Sequence, residues 1–337
     1  MIMIINITFL YLVIREMDLL HARKLKLLCV LLMLTALMLT ACSKGDDAAG
    51  SEAVNGSATK KYIDSKGREV ELPAHPERIV AHYYASEFVA LGLPIVGTNY
   101  INASGILTPA QLQGIENIGG EGVVPNLEKV VALDPDLIVV PNFLQPADLE
   151  ALSKIAPTVA LDYSSDVFAR LRTIGEIAGS SARAEDWIAA YKAKAEEKRK
   201  EAASLIQPGE TSSAFILYQD KQLYVYGPQR LGPIMYDALG FAMPPKVKEL
   251  FDRNKDALWE TISLETLPDY AGDRIFLVIP DDSDDTKKMV EEVLNGPIWK
   301  GLPAVKNGKA YVVESRWAFN DPLTLNWLLD EMPKKLH

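Results

Sequence analysis

The chain has almost no cysteine. Of its 337 residues only Cys29 and Cys42 are cysteines. The sequence beyond Cys42 therefore has no disulfide and no thiolate metal site to hold it together. It must rest on an apolar core, for which a 48% hydrophobic content is ample. Histidine is also scarce. Beyond Cys42, His75 precedes Pro76 in a turn, His82 closes a predicted strand and His337 is the last residue. A protein site for zinc or manganese would draw on several imidazoles and carboxylates, so no metal site is expected. Positive charge is in deficit, with 35 Lys+Arg against 45 Asp+Glu and a net charge of −10. That excludes nucleic acid as a partner, because such affinity rests on neutralising phosphates. The sequence has no G-x-S-x-G, no H-E-x-x-H and no glycine loop opening a helix to cradle phosphate. Gly119-Gly120-Glu121-Gly122 reads as a turn. An extracellular hydrolase is thus the remote alternative. The acidic run Asp281–Asp285 lacks the glycine and terminal glutamate of a calcium loop, and reads as a solvated loop capping the next helix. Long apolar runs are missing too. Leu27–Met38 is too short to cross a bilayer, which takes about 20 residues.

That short run has a different meaning in its context. It follows Arg23, Lys24 and Lys26 and leads to Leu39-Thr40-Ala41-Cys42. A basic stretch, an apolar stretch and small residues before a cut make a secretory signal. The cysteine after the small residues resembles a bacterial lipobox, in which the thiol is diacylated and becomes the mature N-terminus. Residues 1–41 are expected to be the signal peptide, with translation starting at Met17, and Cys42 the lipid anchor on the extracytoplasmic face of the cell membrane. Residues 42–60 are rich in Gly, Ala, Ser and charge. They bury too little apolar surface to fold and read as a flexible tether.

From Arg78 onward short β-branched runs alternate with helical patterns, which implies α/β architecture with parallel sheets. Residues 182–206 hold no Gly or Pro and are dense in Ala, Glu and Lys. Trp187, Ile188, Tyr191 and Ala195 fall on one face, and Glu196 to Lys200 is a favourable i,i+4 pair. These residues predict one long helix of about 37 Å, ended by Pro208-Gly209. The chain then divides into an N-terminal lobe (61–181), the linker helix (182–206) and a C-terminal lobe (207–337). Two Rossmann-like lobes with mainly parallel sheets would enclose a cleft. An internal echo supports paired lobes: Asn126-Leu127-Glu128 and Ser263-Leu264-Glu265 each open a helical pattern that leads to an apolar strand ending in proline.

The ordered set of segments resembles the substrate-binding lipoproteins that deliver ferric siderophores, haem or cobalamin to ABC importers. It is carried by Pro76-Glu77-Arg78-Ile79-Val80, by Leu91 to Gly97, by Asn126 to Ile138, by Leu231-Gly232, by Trp299 to Lys309 and by the terminal helix. The resemblance covers about Lys61 to Lys335. It implies a monomeric binding protein, not an enzyme, whose linker helix keeps hinge motion small. It also implies that Glu128 and Glu265, one on each lobe, dock onto the ABC permease. A lone acid in a first helical turn would equally serve the helix dipole.

In open α/β sheets ligands bind beyond the carboxyl ends of the strands. The candidates there are Tyr83, Tyr84, Tyr100, Phe143 and Tyr163 in the first lobe, with Arg170 and Arg172 on the helix that follows. In the second lobe they are Tyr226, Arg230, Arg316 and Trp317, and Arg316-Trp317 is the leading pair. A cleft rich in aromatic groups with a few arginines suits a bulky organic ligand. A ferric siderophore fits: it coordinates the iron itself, so the protein needs no cofactor. Guanidinium suits catecholate or carboxylate oxygens, which tilts the reading slightly to a catecholate over a hydroxamate. Haem, with Tyr83 or Tyr84 as axial ligand, and cobalamin are the alternative cargoes.

Overall fold

A computed structural model describes residues 59–337 apart from Glu121, Gln219, Asp220, Lys221, Asp256 and Asp282. The expected signal, Met17, Cys42 and all but the last two residues of the expected tether lie outside the described residues. Thr59 and Lys60, assigned above to the tether, instead begin a hairpin, β1 (Thr59–Ile63) with β2 (Glu69–Pro73). Asp64 organises its turn by accepting hydrogen bonds from the Lys66 and Arg68 amides and from the Arg68 guanidinium.

Two five-stranded sheets follow. The first has the order β5-β4-β3-β6-β7, all parallel. Its strands are β3 (Ile79–Ala81), β4 (Gly97–Thr98), β5 (Glu116–Asn117), β6 (Leu137–Pro141) and β7 (Thr158–Leu161). Every residue of β3, β6 and β7 is buried, which is why these strands read as continuous apolar runs rather than alternating ones. Gly97 is required by packing: a Cβ there would lie 2.6 Å from Leu133 Cδ1 and 2.9 Å from Ile118 Cγ2.

The second sheet has the order β10-β9-β8-β11-β12. It comprises β8 (Ser212–Leu217), β9 (Leu223–Tyr226), β10 (Glu260–Ile262), β11 (Arg274–Val278) and β12 (Ala310–Val313). Strands β8, β11 and β12 are parallel, while β9 runs antiparallel to both of its neighbours, β8 and β10. The sheet is therefore mixed.

The long helix runs Ser181–Ala202, 22 residues, or about 33 Å. It stops four residues short of the expected end, and Leu205 closes a turn onto the Ala202 carbonyl. Ala184, Ile188, Tyr191, Ala195 and Ala202 bury its inner face in a core that takes residues from both lobes. Lys194 ties it to the closing helix, Pro322–Lys335, through Asp330 at 2.6 Å. The far face of each sheet has its own smaller core. Just past Leu231-Gly232 the chain forms a π-helix, Pro233–Ala238.

Candidate functional site

In the first sheet the strand order reverses direction between β3 and β6. Such a switch point opens a crevice beyond the carboxyl ends of the strands. Tyr83 follows β3, Phe143 follows β6 and Tyr163 follows β7. The structure brings these three together. Tyr83 and Phe143 have ring centroids 5.9 Å apart, Tyr83 and Tyr163 are 6.3 Å apart, and Phe143 and Tyr163 are 5.3 Å apart. All three pairs meet edge to face, the preferred geometry for aromatic quadrupoles. Phe143 is 41% exposed, a large apolar group left open to solvent at the rim of the crevice.

A residue that sequence reasoning did not select supports this cluster. His82 is fully buried, and its ring lies 4.4 Å from that of Tyr83. Its Nε2 is 3.4 Å from Asn99 Nδ2, while Nδ1 has no partner. Burial holds its pKa down, to about 4.

The two lobes meet beside the cluster. Gln229 Nε2 donates to the Ser164 carbonyl at 2.9 Å, the Arg170 guanidinium donates to the Asn320 carbonyl, and Ser86 Oγ donates to Asp321. On the second lobe, Arg230 follows Gln229. Its backbone is left-handed, with φ 57°, a strained conformation for a non-glycine residue. Its guanidinium stacks 4.8 Å from the Trp259 centroid and 5.6 Å from that of Tyr226, and its Nε is buried without a partner. Trp259 was missed in the sequence because it precedes an antiparallel strand, β10, rather than following a parallel one.

Several expected ligand residues have other surroundings. Tyr84 is 1% exposed and turns inward, with its hydroxyl 3.4 Å from the Leu161 carbonyl. Tyr226 is fully enclosed beneath Arg230. Trp317 is 3% exposed, stacked 5.6 Å from Phe276, and belongs to the core under the closing helix. Arg170 is buried in an ion pair with Glu87 at 2.6 Å. These four are corrections: their side chains are already enclosed by protein. Arg172 is exposed and paired with Glu185 of the long helix at 2.7 Å. Arg316 is half-buried and stacks 4.2 Å from the Trp327 centroid. Tyr100 donates its hydroxyl to the Ile115 carbonyl at 2.7 Å and borders a separate surface hollow with Leu107 and Leu112. Among the described residues no group of three or more His, Cys, Asp or Glu side chains is arranged to hold a metal ion.

Glu128 and Glu265 are both exposed. Glu128 lies in the first turn of the helix Leu127–Ala132, where Asn126 Oδ1 accepts from the Lys129 amide at 3.0 Å. Ser263-Leu264-Glu265, read above as opening a helix, is corrected: Glu265 sits in a turn closed by the Thr266 amide on Ser263 Oγ at 3.3 Å, ahead of the short helix Leu267–Tyr270.

A family model described as periplasmic binding protein matches residues 117–316. The iron(3+)-hydroxamate-binding protein YxeB of Bacillus subtilis is 30% identical over 313 residues, covering 90% of this chain and 94% of that protein. The iron(3+)-hydroxamate-binding protein FhuD of the same organism is 32% identical over 313 residues, covering 91% and 95%. The solved structure of FhuD2 from Staphylococcus aureus with bound ferrioxamine B is similar at a TM-score of 0.67 and 28% identity, covering 77% of this chain and 98% of that one. On these matches, and with a two-lobed α/β fold to carry them, the chain belongs to the periplasmic binding protein family.

Proposed function

We propose that this protein is the solute-binding component of an ABC importer, and that it captures a ferric siderophore of the hydroxamate class in the interlobe cleft. The observation that carries the reading is the Tyr83, Phe143 and Tyr163 cluster at the switch point of the first sheet. It offers a dry aromatic wall to a bulky ligand, and the names of two relatives supply the ligand class. Charge favours the same class. The anionic hydroxamates of a saturated complex cancel the ferric charge, whereas a catecholate complex stays strongly anionic and calls for free cations. Here Arg170 is neutralised by Glu87 and Arg172 by Glu185, which leaves Arg230 and Arg316, each stacked on a tryptophan, to supply donors. The slight preference for a catecholate drawn from arginine content thus gives way to hydroxamate. The iron is cargo carried by the siderophore, and the protein brings no cofactor and no catalysis of its own.

In this reading the protein works as a monomer, held to the extracytoplasmic face of the membrane by a diacylated Cys42. Loaded protein docks on the permease through Glu128 and Glu265. The test is uptake of radioactive iron as a ferric hydroxamate by cells whose only copy of the protein is Glu128→Ala/Glu265→Ala. Uptake is expected to fall to the level of cells lacking the protein, while the purified variant keeps wild-type ligand affinity. Wild-type uptake by that strain, or lost affinity in the purified variant, would remove the docking role.

A further inference from the structure

Asn320 lies between the 3-10 turn Ser315–Ala318 and the closing helix, and three of its groups are engaged. Its carbonyl accepts from the Arg170 guanidinium of the first lobe. Its Oδ1 accepts from the Arg230 amide at 3.3 Å, and its Nδ2 donates to Gln229 Oε1 at 3.1 Å. Gln229 in turn donates from Nε2 to the Ser164 carbonyl of the first lobe at 2.9 Å. The two ends of the Asn320 amide thus hold two successive residues of one turn, and the same small network crosses the seam between the lobes twice.

That turn has little freedom to settle elsewhere. It runs from Gly227 to Gly232, and a Cβ on Gly232 would lie 2.4 Å from the Gly227 carbonyl oxygen. Within it Arg230 is left-handed, a conformation that a non-glycine residue keeps only where its surroundings over-determine it. The Asn320 oxygen on its amide is one such constraint. Stacking on Trp259 and Tyr226 is another, and Nη1 donates to the Ala318 carbonyl. What remains for a ligand is narrow. Arg230 is 8% exposed, and among the described residues Nη2 donates to no protein group. Hydrogen bonds weaken steeply as they bend, so with this little of the guanidinium open its direction decides whether an N–H reaches the cargo.

We propose that Asn320 is the positioning residue for Arg230: it fixes the left-handed turn so that the free edge of the guanidinium meets the hydroxamate oxygens of the cargo, and through Arg170 and Gln229 it ties that aim to the contact between the lobes. The inference rests on the function proposed above, in which Arg230 supplies one of the donors. Asn320 acts through Arg230 and need not touch the cargo itself.

The test is a double-mutant cycle read by isothermal titration calorimetry of the full-length, detergent-solubilised protein with ferrioxamine B. Asn320→Ala is expected to weaken binding about fivefold, the scale of one hydrogen bond, and Arg230→Ala to weaken it more. The double variant should bind as Arg230→Ala does, because without the guanidinium there is nothing left to aim. Circular dichroism confirms that each variant is folded. A role confined to the fold would lower the thermal midpoint of Asn320→Ala and leave its affinity intact. Wild-type affinity in Asn320→Ala or in Arg230→Ala, or the same loss from Asn320→Ala with and without Arg230, would each overturn the assignment. An absence of saturable heat with the wild-type protein would overturn the hydroxamate reading itself, and this inference with it.

Discussion

Tyr83, Phe143 and Tyr163 are separated by up to eighty residues of chain, yet their rings meet edge to face at the end of one sheet. Phe143 is the exposed one of the three, so its ring can contribute contact area to a ligand while owing little to the core. Phe143→Ala should therefore weaken siderophore binding by about 1–2 kcal/mol, roughly tenfold in Kd, and leave the thermal midpoint within a degree or two of wild type. A fall of many degrees would show Phe143 to be structural. Trp317→Ala should behave in the opposite way. Its ring is stacked on Phe276 and T-shaped on Trp327, so truncation should cost about 3–5 kcal/mol of stability, read from urea unfolding. Unchanged stability with lost binding would restore Trp317 to the cleft. The contrast shows what a sequence can express at this scale. Strand-end position was legible, because an apolar run followed by a turn marks where the chain leaves the sheet. The direction of each side chain was not. Tyr83 and Tyr84 are neighbours after one strand, and one lines the crevice while the other is enclosed. Trp317 sits in a 3-10 turn, Ser315–Ala318, whose inward face no period reveals.

At the scale of elements, the feature that joins the lobes is a buried polar cluster. The helix Ala85–Ala90 supplies Glu87 and Ser86, the helix Val167–Ile177 supplies Arg170, and the segment before the closing helix supplies Asn320 and Asp321. Glu87 and Arg170 are almost wholly enclosed, at 1% and 4% exposure. Burial pushes the Glu87 carboxyl up, with Arg170 pulling against that and Asp321 adding to it. Arg170→Met would leave Glu87 buried without its counter-ion and facing Asp321, at a cost of about 3–5 kcal/mol near neutral pH. The sign of the pH dependence follows from the raised pKa. A carboxyl with a raised folded pKa favours the folded state while protonated, and that contribution is lost as pH rises through the folded value. The penalty of Arg170→Met should therefore shrink as pH is lowered towards 5. Urea unfolding of both proteins at pH 7 and pH 5 measures it, and a penalty that grows in acid would refute the account. The individual residues of this cluster gave no sequence signal, since a buried pair 83 residues apart reads as two surface charges. The long helix was legible because its Ala, Glu and Lys content and missing glycine act locally. The hairpin β1–β2 was not, because its strands are short and polar and depend on the Asp64–Arg68 turn contacts.

For the molecule as a whole, His82 links the site to global stability. Its folded pKa is depressed to about 4 from an ordinary 6.5. The stability this confers is present above the unfolded value of 6.5 and lost as pH falls towards 4, because the unfolded chain takes up a proton that the folded one refuses. At about 1.4 kcal/mol per unit, the loss across that window should be about 3 kcal/mol. His82→Gln should lack this component of the acid dependence, and parallel pH profiles for the two proteins would contradict it. The same wide view accounts for the fold: parallel strands buried on both faces, a switch point that leaves a crevice, and a long helix joining two lobes were all consequences of apolar pattern and element order. The proposed ligand class was not, because the argument for it uses arginine pairing inside the protein, which only the structure shows. The central claim is that the interlobe cleft takes a ferric hydroxamate. Tryptophan fluorescence of the full-length protein, titrated with a ferric hydroxamate, a ferric catecholate, haemin and cobalamin, tests it most directly. Trp259 lies close to the seam beneath Arg230 and provides a local reporter. Saturable quenching by the ferric hydroxamate at submicromolar concentration, about −8 kcal/mol or tighter, with no saturation by the other three, is the predicted result. Saturation by haemin, cobalamin or the catecholate in place of the hydroxamate would contradict it.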